Sequence, residues 1–114
     1  MTKRITEPSA ARLAEINKQL EGAPTQQVLQ WAHDELGNDV ALMSSFGLED
    51  MALMDMFWRI TPEARVMTLD TMRLPTETYT LFDQASARYG IKIEAFYPDM
   101  DEVRAMVEDL GYNL

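Results

Sequence analysis

The stretch Asp39-Val40-Ala41-Leu42-Met43-Ser44-Ser45-Phe46-Gly47-Leu48-Glu49-Asp50-Met51 decides the fold. Val40 to Met43 is a short unbroken apolar run, the mark of a strand buried on both faces. Polar and small residues then break the run, and helical spacing begins, with Met51, Met54, Phe57 and Trp58 on one side of Glu49–Ile60. A strand passing directly into a helix is the first half of a parallel crossover unit.

The pattern repeats downstream. Arg65–Leu69 reads as a second strand, and Pro75 opens a helix with Leu81, Phe82, Ala85 and Tyr89 inward. Ile91–Tyr97 reads as a third strand. Asp99-Met100-Asp101-Glu102 has capping-box spacing and opens a last helix through Val103, Met106, Val107 and Leu110. Upstream, Ser9–Leu20 carries Leu13, Ile16 and Leu20 at helical spacing. Pro24 suits a first helical position before Val28, Leu29, Ala32 and Leu36. The expected architecture is α/β: an open parallel sheet in three layers, preceded by two helices. One domain is expected over residues 1–114, with helices in 1–37 and a partial nucleotide-binding α/β unit in 38–114.

Gly22, Gly37, Gly90 and Gly111 each follow a predicted helix, where a left-handed cap favours glycine. Gly47 instead sits between a strand and a helix. The loop Ser44-Ser45-Phe46-Gly47 can wrap backbone N–H groups around an anion, helped by the dipole of the helix that follows. Its spacing fits an ordinary turn with a serine N-cap equally well, and it matches neither of the common phosphate-loop patterns. Leu69-Asp70-Thr71-Met72-Arg73 leaves the neighbouring strand at the same end of the sheet, where open parallel sheets bind ligands. Asp70 has the chemistry to accept ribose or base hydrogen bonds, and Arg73 to face a phosphate; a surface ion pair is the plainer use of both.

Composition narrows the classes. The 114 residues are 46% apolar and 25% charged, ordinary for a globular domain. Ten basic against 19 acidic residues leave a net charge of −9, which argues against nucleic acid or an anionic membrane as partner. There is no cysteine, hence no disulfide, thiolate nucleophile or thiolate-held metal, and the single His33 supports no multi-histidine site. No apolar run is long enough for a membrane span, and the first residues lack the apolar core of a signal peptide. A cytoplasmic location is expected.

The motifs Ser44-Ser-Phe-Gly-Leu-Glu-Asp-Met51, Leu69-Asp-Thr-x-Arg-Leu-Pro-x-Glu-Thr-Tyr79, Tyr89-Gly-Ile91 and Tyr97-Pro-Asp99 together resemble the assimilatory adenylyl-sulfate and phosphoadenylyl-sulfate reductases. The resemblance covers roughly residues 25–114, the amino-terminal half of that family's domain. It implies an adenine-nucleotide α-hydrolase-like fold, with Ser44, Ser45, Phe46 and Gly47 at the phosphosulfate and Leu69, Asp70 and Thr71 along the adenosine. It also implies a strand order of third, second, first. In that family a cysteine near the carboxyl terminus attacks sulfur, and thioredoxin releases sulfite. The adenylyl-sulfate branch adds a [4Fe-4S] cluster on four cysteines.

Two departures shape the expectation. Met72 stands where the family usually has glycine, and the chain carries none of the cysteines. The chain is therefore read as a truncated sulfonucleotide reductase-like domain that keeps part of the nucleotide pocket. On that reading it is inactive alone, has no cofactor of its own, binds an adenine sulfonucleotide or AMP weakly, and has no use for thioredoxin. A noncatalytic nucleotide-binding or protein-interaction domain on the same fold is the alternative. An ATP pyrophosphatase of the same superfamily would need a Ser-Gly-Gly-x-Asp-Ser loop, which is absent. A free apolar edge on the first strand further suggests a homodimer.

Overall fold

A computed structural model describes residues 7–113. The first six residues of the expected 1–37 helical segment, and Leu114, lie outside the described part. Helix α1 spans Ala10–Leu20 and α2 spans Thr25–Leu36. The Ser9 hydroxyl caps α1 by accepting from the Arg12 N–H at 3.1 Å. Pro24 is the N-cap of α2 and lies just outside its first turn.

Three strands follow, each leading into a helix: β1 (Leu42–Met43) to α3 (Leu48–Ile60), β2 (Val66–Leu69) to α4 (Thr76–Tyr89), and β3 (Ile93–Phe96) to α5 (Met100–Leu110). The strands are parallel, in the order β1-β2-β3, with Leu42 opposite Val66 and Val66 opposite Ile93. This is the order that the family resemblance implies.

The first strand is shorter than Asp39–Met43. Gly37–Asp39 closes a 3₁₀ turn after α2, which takes the start of the expected strand out of pairing. Two residue pairs, Leu42 with Val66 and Met43 with Met67, join β1 to its neighbour, and Leu42 N–H to the Arg65 carbonyl and Ser44 N–H to the Met67 carbonyl, both 2.9 Å, bracket them. The other strands lose only their outermost residues. Asp99 caps α5 as its spacing predicts, accepting from the Glu102 N–H at 3.0 Å.

Alternation along the strands sorts the two sheet faces. Val66 and Thr68 are fully buried, and Val66 joins Phe46, Met54, Ala85 and Ile91 in the core beneath α3 and α4. The alternate positions Met43, Leu69 and Phe96 remain 52%, 64% and 49% exposed. Coverage of the sheet is thus uneven, with the well-packed side toward the crossover helices. A bidentate pair from Arg65 to Glu94, both contacts 3.1 Å, fastens β2 to β3 near their amino ends.

Candidate active site

The two loops singled out by sequence leave adjacent strands at the carboxyl end of the sheet. Between them lies a cleft of about 330 Å³ lined by Met43, Ser44, Ser45, Asp50, Thr68, Leu69, Leu74 and Phe82. Of the predicted site residues, Ser44, Ser45 and Leu69 stand in its wall. Phe46 is buried and packs on Phe82, with ring centroids 4.4 Å apart, so it builds the wall from behind.

The first loop is held from three directions. Thr68 Oγ1 donates to the Ser44 carbonyl at 2.8 Å. Ser44 Oγ accepts from the Phe46 N–H at 3.1 Å. Asp50 Oδ2 accepts from both the N–H and the hydroxyl of Ser45, at 2.6 and 2.7 Å. These two bonds, the hydroxyl's first, hold the Asp50 carboxyl below its ordinary range. The expected cradle therefore differs in detail, since the amides of Ser45 and Phe46 are taken by acceptors within the loop. The donors that remain include the Gly47 N–H, the first-turn N–H groups of α3, which have no partner inside a helix, and the Ser44 hydroxyl proton.

Gly47 is the N-cap of α3, with no side-chain capping bond, and its φ of −67° is open to any residue. The left-handed residue of this loop is Phe46, at φ 63°. What Gly47 supplies is a bare backbone: the atoms nearest an added Cβ belong to the Glu49 carboxyl group, the closest at 3.3 Å.

The second loop turns on Asp70, which is 6% exposed. Its N–H donates to the Phe96 carbonyl at 2.9 Å. Its Oδ1 accepts from the Met72 N–H at 2.8 Å and from the Tyr79 hydroxyl at 2.7 Å. Thr71 Oγ1 accepts from the Arg73 N–H at 3.3 Å, and both residues are exposed outside the cleft wall. Met72 sits at φ 65°, a left-handed conformation that glycine adopts without strain.

Sequence reasoning missed Met43, Asp50, Thr68, Leu74 and Phe82 as lining groups. Asp50 was legible, because an acid in the first turn of a helix is placed to reach back to loop amides. Thr68 was legible too, as the strand position that shares a face with Val66.

The chain matches the phosphoadenosine phosphosulfate reductase domain over residues 39–113. The chain belongs to this family. It is 38% identical over 111 residues to 5'-adenylylsulfate reductase 3, chloroplastic, of Arabidopsis thaliana, covering 97% of this chain and 24% of that protein. It is 36% identical over 86 residues to adenosine 5'-phosphosulfate reductase of Pseudomonas aeruginosa (strain LESB58), covering 75% and 32%. It is 30% identical over 92 residues to phosphoadenosine 5'-phosphosulfate reductase of a Synechococcus strain, covering 81% and 40%. The crystal structure of phosphoadenylyl-sulfate reductase from Candida auris, a phosphate complex, superposes with a TM-score of 0.77 at 24% identity, covering 96% of this chain and 53% of that one. The chain thus spans between about a quarter and two-fifths of these curated reductases. The fold is that of the sulfonucleotide reductases, an adenine-nucleotide α-hydrolase-like α/β arrangement.

Proposed function

We propose that this chain is the nucleotide-binding part of a sulfonucleotide reductase domain and takes adenylyl sulfate or its 3′-phosphorylated form. The observation that carries the reading is the shared cleft. In a chain of this family, Ser44 and Ser45 of one loop and Leu69 of the other face the same space at the carboxyl ends of neighbouring parallel strands. The anionic end of the ligand would meet the Ser44 hydroxyl and the first-turn amides of α3. The nucleoside would lie along Leu69, Asp70 and Thr71, with Arg73 free to swing toward a phosphate.

The chain's own residues do not fit the cluster chemistry of the adenylyl-sulfate branch. With no cysteine there is no thiolate for iron and no soft nucleophile for sulfur. We therefore propose that this chain by itself binds and orients nucleotide without reducing it, independently of thioredoxin. The lack of a thiol equally favours a second reading, a noncatalytic nucleotide-binding module. The proposed location is the cytoplasm; among the described residues no helix is long and apolar enough to cross a membrane.

Calorimetric titration with adenylyl sulfate, its 3′-phosphorylated form and AMP tests the binding proposal. Saturable heat with either sulfonucleotide supports it, and silence with all three refutes it. Thioredoxin-dependent sulfite release from the purified chain would refute the noncatalytic part.

We also propose a homodimer formed through the β1 edge. Two rungs on one side leave this strand's other side unpaired within the sheet, and Met43 is half exposed. Light scattering that returns a dimer mass supports this; a monodisperse monomer refutes it.

A further inference from the structure

The hydroxyl of Tyr79, in the first turn of α4, reaches back over the loop that follows β2. It donates to Asp70 Oδ1 at 2.7 Å and accepts from the Leu74 N–H at 3.4 Å. One phenol therefore ties both ends of the Asp70–Leu74 loop. The flanks of that loop, Leu69 and Leu74, stand in the cleft wall. The ring is fixed as well: it meets Phe82 edge-on, with centroids 5.7 Å apart and planes at 74°, and Phe82 also lines the cleft.

Asp70 is anchored on its other side through its backbone bond to Phe96. Its Oδ1 is committed to two donors, Tyr79 and Met72. Asp70 is buried next to Leu69 of the cleft wall, and its second oxygen, Oδ2, makes no hydrogen bond among the described residues, which leaves it as the acceptor not already committed to the loop.

We infer that Tyr79 is a positioning residue for the nucleoside side of the cleft: it orients Asp70 Oδ2 toward the ligand and holds Leu74 in the wall. The inference rests on the nucleotide reading above. The chemistry requires a phenol, because the same group must donate to a carboxylate and accept from an amide. Phenylalanine does neither, and serine at this position is too short. The hydroxyl keeps its proton through the neutral range, since the bond to Asp70 and then burial push its pKa up.

Tyr79→Phe keeps the ring and its contact with Phe82 and removes only the oxygen. Titrating the full chain with AMP and, separately, with inorganic sulfate divides the nucleoside side from the anion side. The expected result is AMP affinity lowered about tenfold, the effect of losing one well-placed hydrogen bond to a charged group, with sulfate affinity unchanged. Unchanged AMP affinity overturns the inference, and so does an equal loss for both ligands, which marks a merely structural role.

Amide exchange provides an arm that needs no ligand. The Met72 N–H, whose acceptor Asp70 is still present, should exchange about tenfold faster in the variant, while the amides of α4 stay as they were. Unaltered exchange at Met72 overturns the clamp whatever the titrations show. If the unsubstituted chain gives no heat with AMP, adenylyl sulfate replaces AMP in the same comparison; silence with AMP and both sulfonucleotides ends the nucleotide reading, and with it the ligand role of Tyr79.

Discussion

One oxygen of Asp50 accepts two hydrogen bonds from Ser45, through the backbone amide at 2.6 Å and through the hydroxyl at 2.7 Å. Both bonds favour the ionised carboxylate, so the folded chain holds this proton less tightly than the unfolded chain does. The stabilisation is complete above the ordinary carboxylate pKa and is lost as pH falls through the lower, folded value. Asp55, held down by Arg59 and Tyr89, and Glu94, held down by Arg65, lose theirs in the same direction. Asp50→Asn should therefore be less stable than the parent at neutral pH, with the gap closing in acid. Denaturant midpoints measured down the pH scale check this, and a gap that stays constant contradicts it.

Among the described residues, two other than glycine occupy the left-handed region, and their replacement by glycine should have opposite effects. Met72 is exposed at φ 65°, so Met72→Gly relieves strain and loses little packing. A gain of up to about 1 kcal/mol is expected, together with tighter sulfonucleotide binding where the long side chain no longer crowds the loop. Phe46 is equally left-handed but buried against Phe82. Phe46→Gly should cost about 3 kcal/mol or more, because the lost aromatic burial exceeds the relief. Guanidinium unfolding of both variants reads the two signs.

Asp70→Asn offers a spectroscopic check on the second loop. The chain has four tyrosines, and Tyr79 loses its proton above the ordinary phenol range, chiefly because it donates to Asp70. An asparagine at position 70 replaces the carboxylate acceptor by a neutral, weaker one, so the hydrogen bond holds the proton less strongly. In an ultraviolet phenolate titration the latest-titrating tyrosine of the parent should shift to lower pH in the variant. A superimposable curve would show that the bond is not made in solution.

How much of this was legible in the sequence differs from place to place. The strand–helix alternation was plain, because Val40–Met43 and Arg65–Leu69 switch to helical spacing within a few residues. The ends of β1 were not, because Gly37–Asp39 keeps turning after α2, and a propensity pattern does not register a 3₁₀ closure. The two loops were found because glycine and small hydroxyls interrupt an apolar pattern. Their internal bonding was hidden, since Asp50 and Tyr79 reach their partners by hydrogen bonds that only the folded backbone brings within range. Asp70 shows the difference well: its residue type suggested a ligand acceptor, and in the fold half of its carboxylate already serves the loop.

Gly47 separates two uses of glycine. Its φ is ordinary, so Gly47→Ala should fold, at a cost of up to about 1 kcal/mol for a poorer N-cap. Gly47→Val places a branched side chain where the ligand would meet bare backbone, and nucleotide binding should disappear while the circular dichroism of the folded chain persists. Retained affinity in the valine variant would move the anion away from this loop.

The uneven covering of the sheet also sets a chemical clock. Met43, Met72 and Met100 lie more than half open to solvent, whereas Met54 is completely enclosed in the core. Dilute peroxide should convert the first three to sulfoxides well before it reaches Met54. Mass spectrometry of timed samples thus reads the exposed surface and the core separately. Slowed oxidation at Met43 alone, as protein concentration rises, would report a second molecule arriving at that edge.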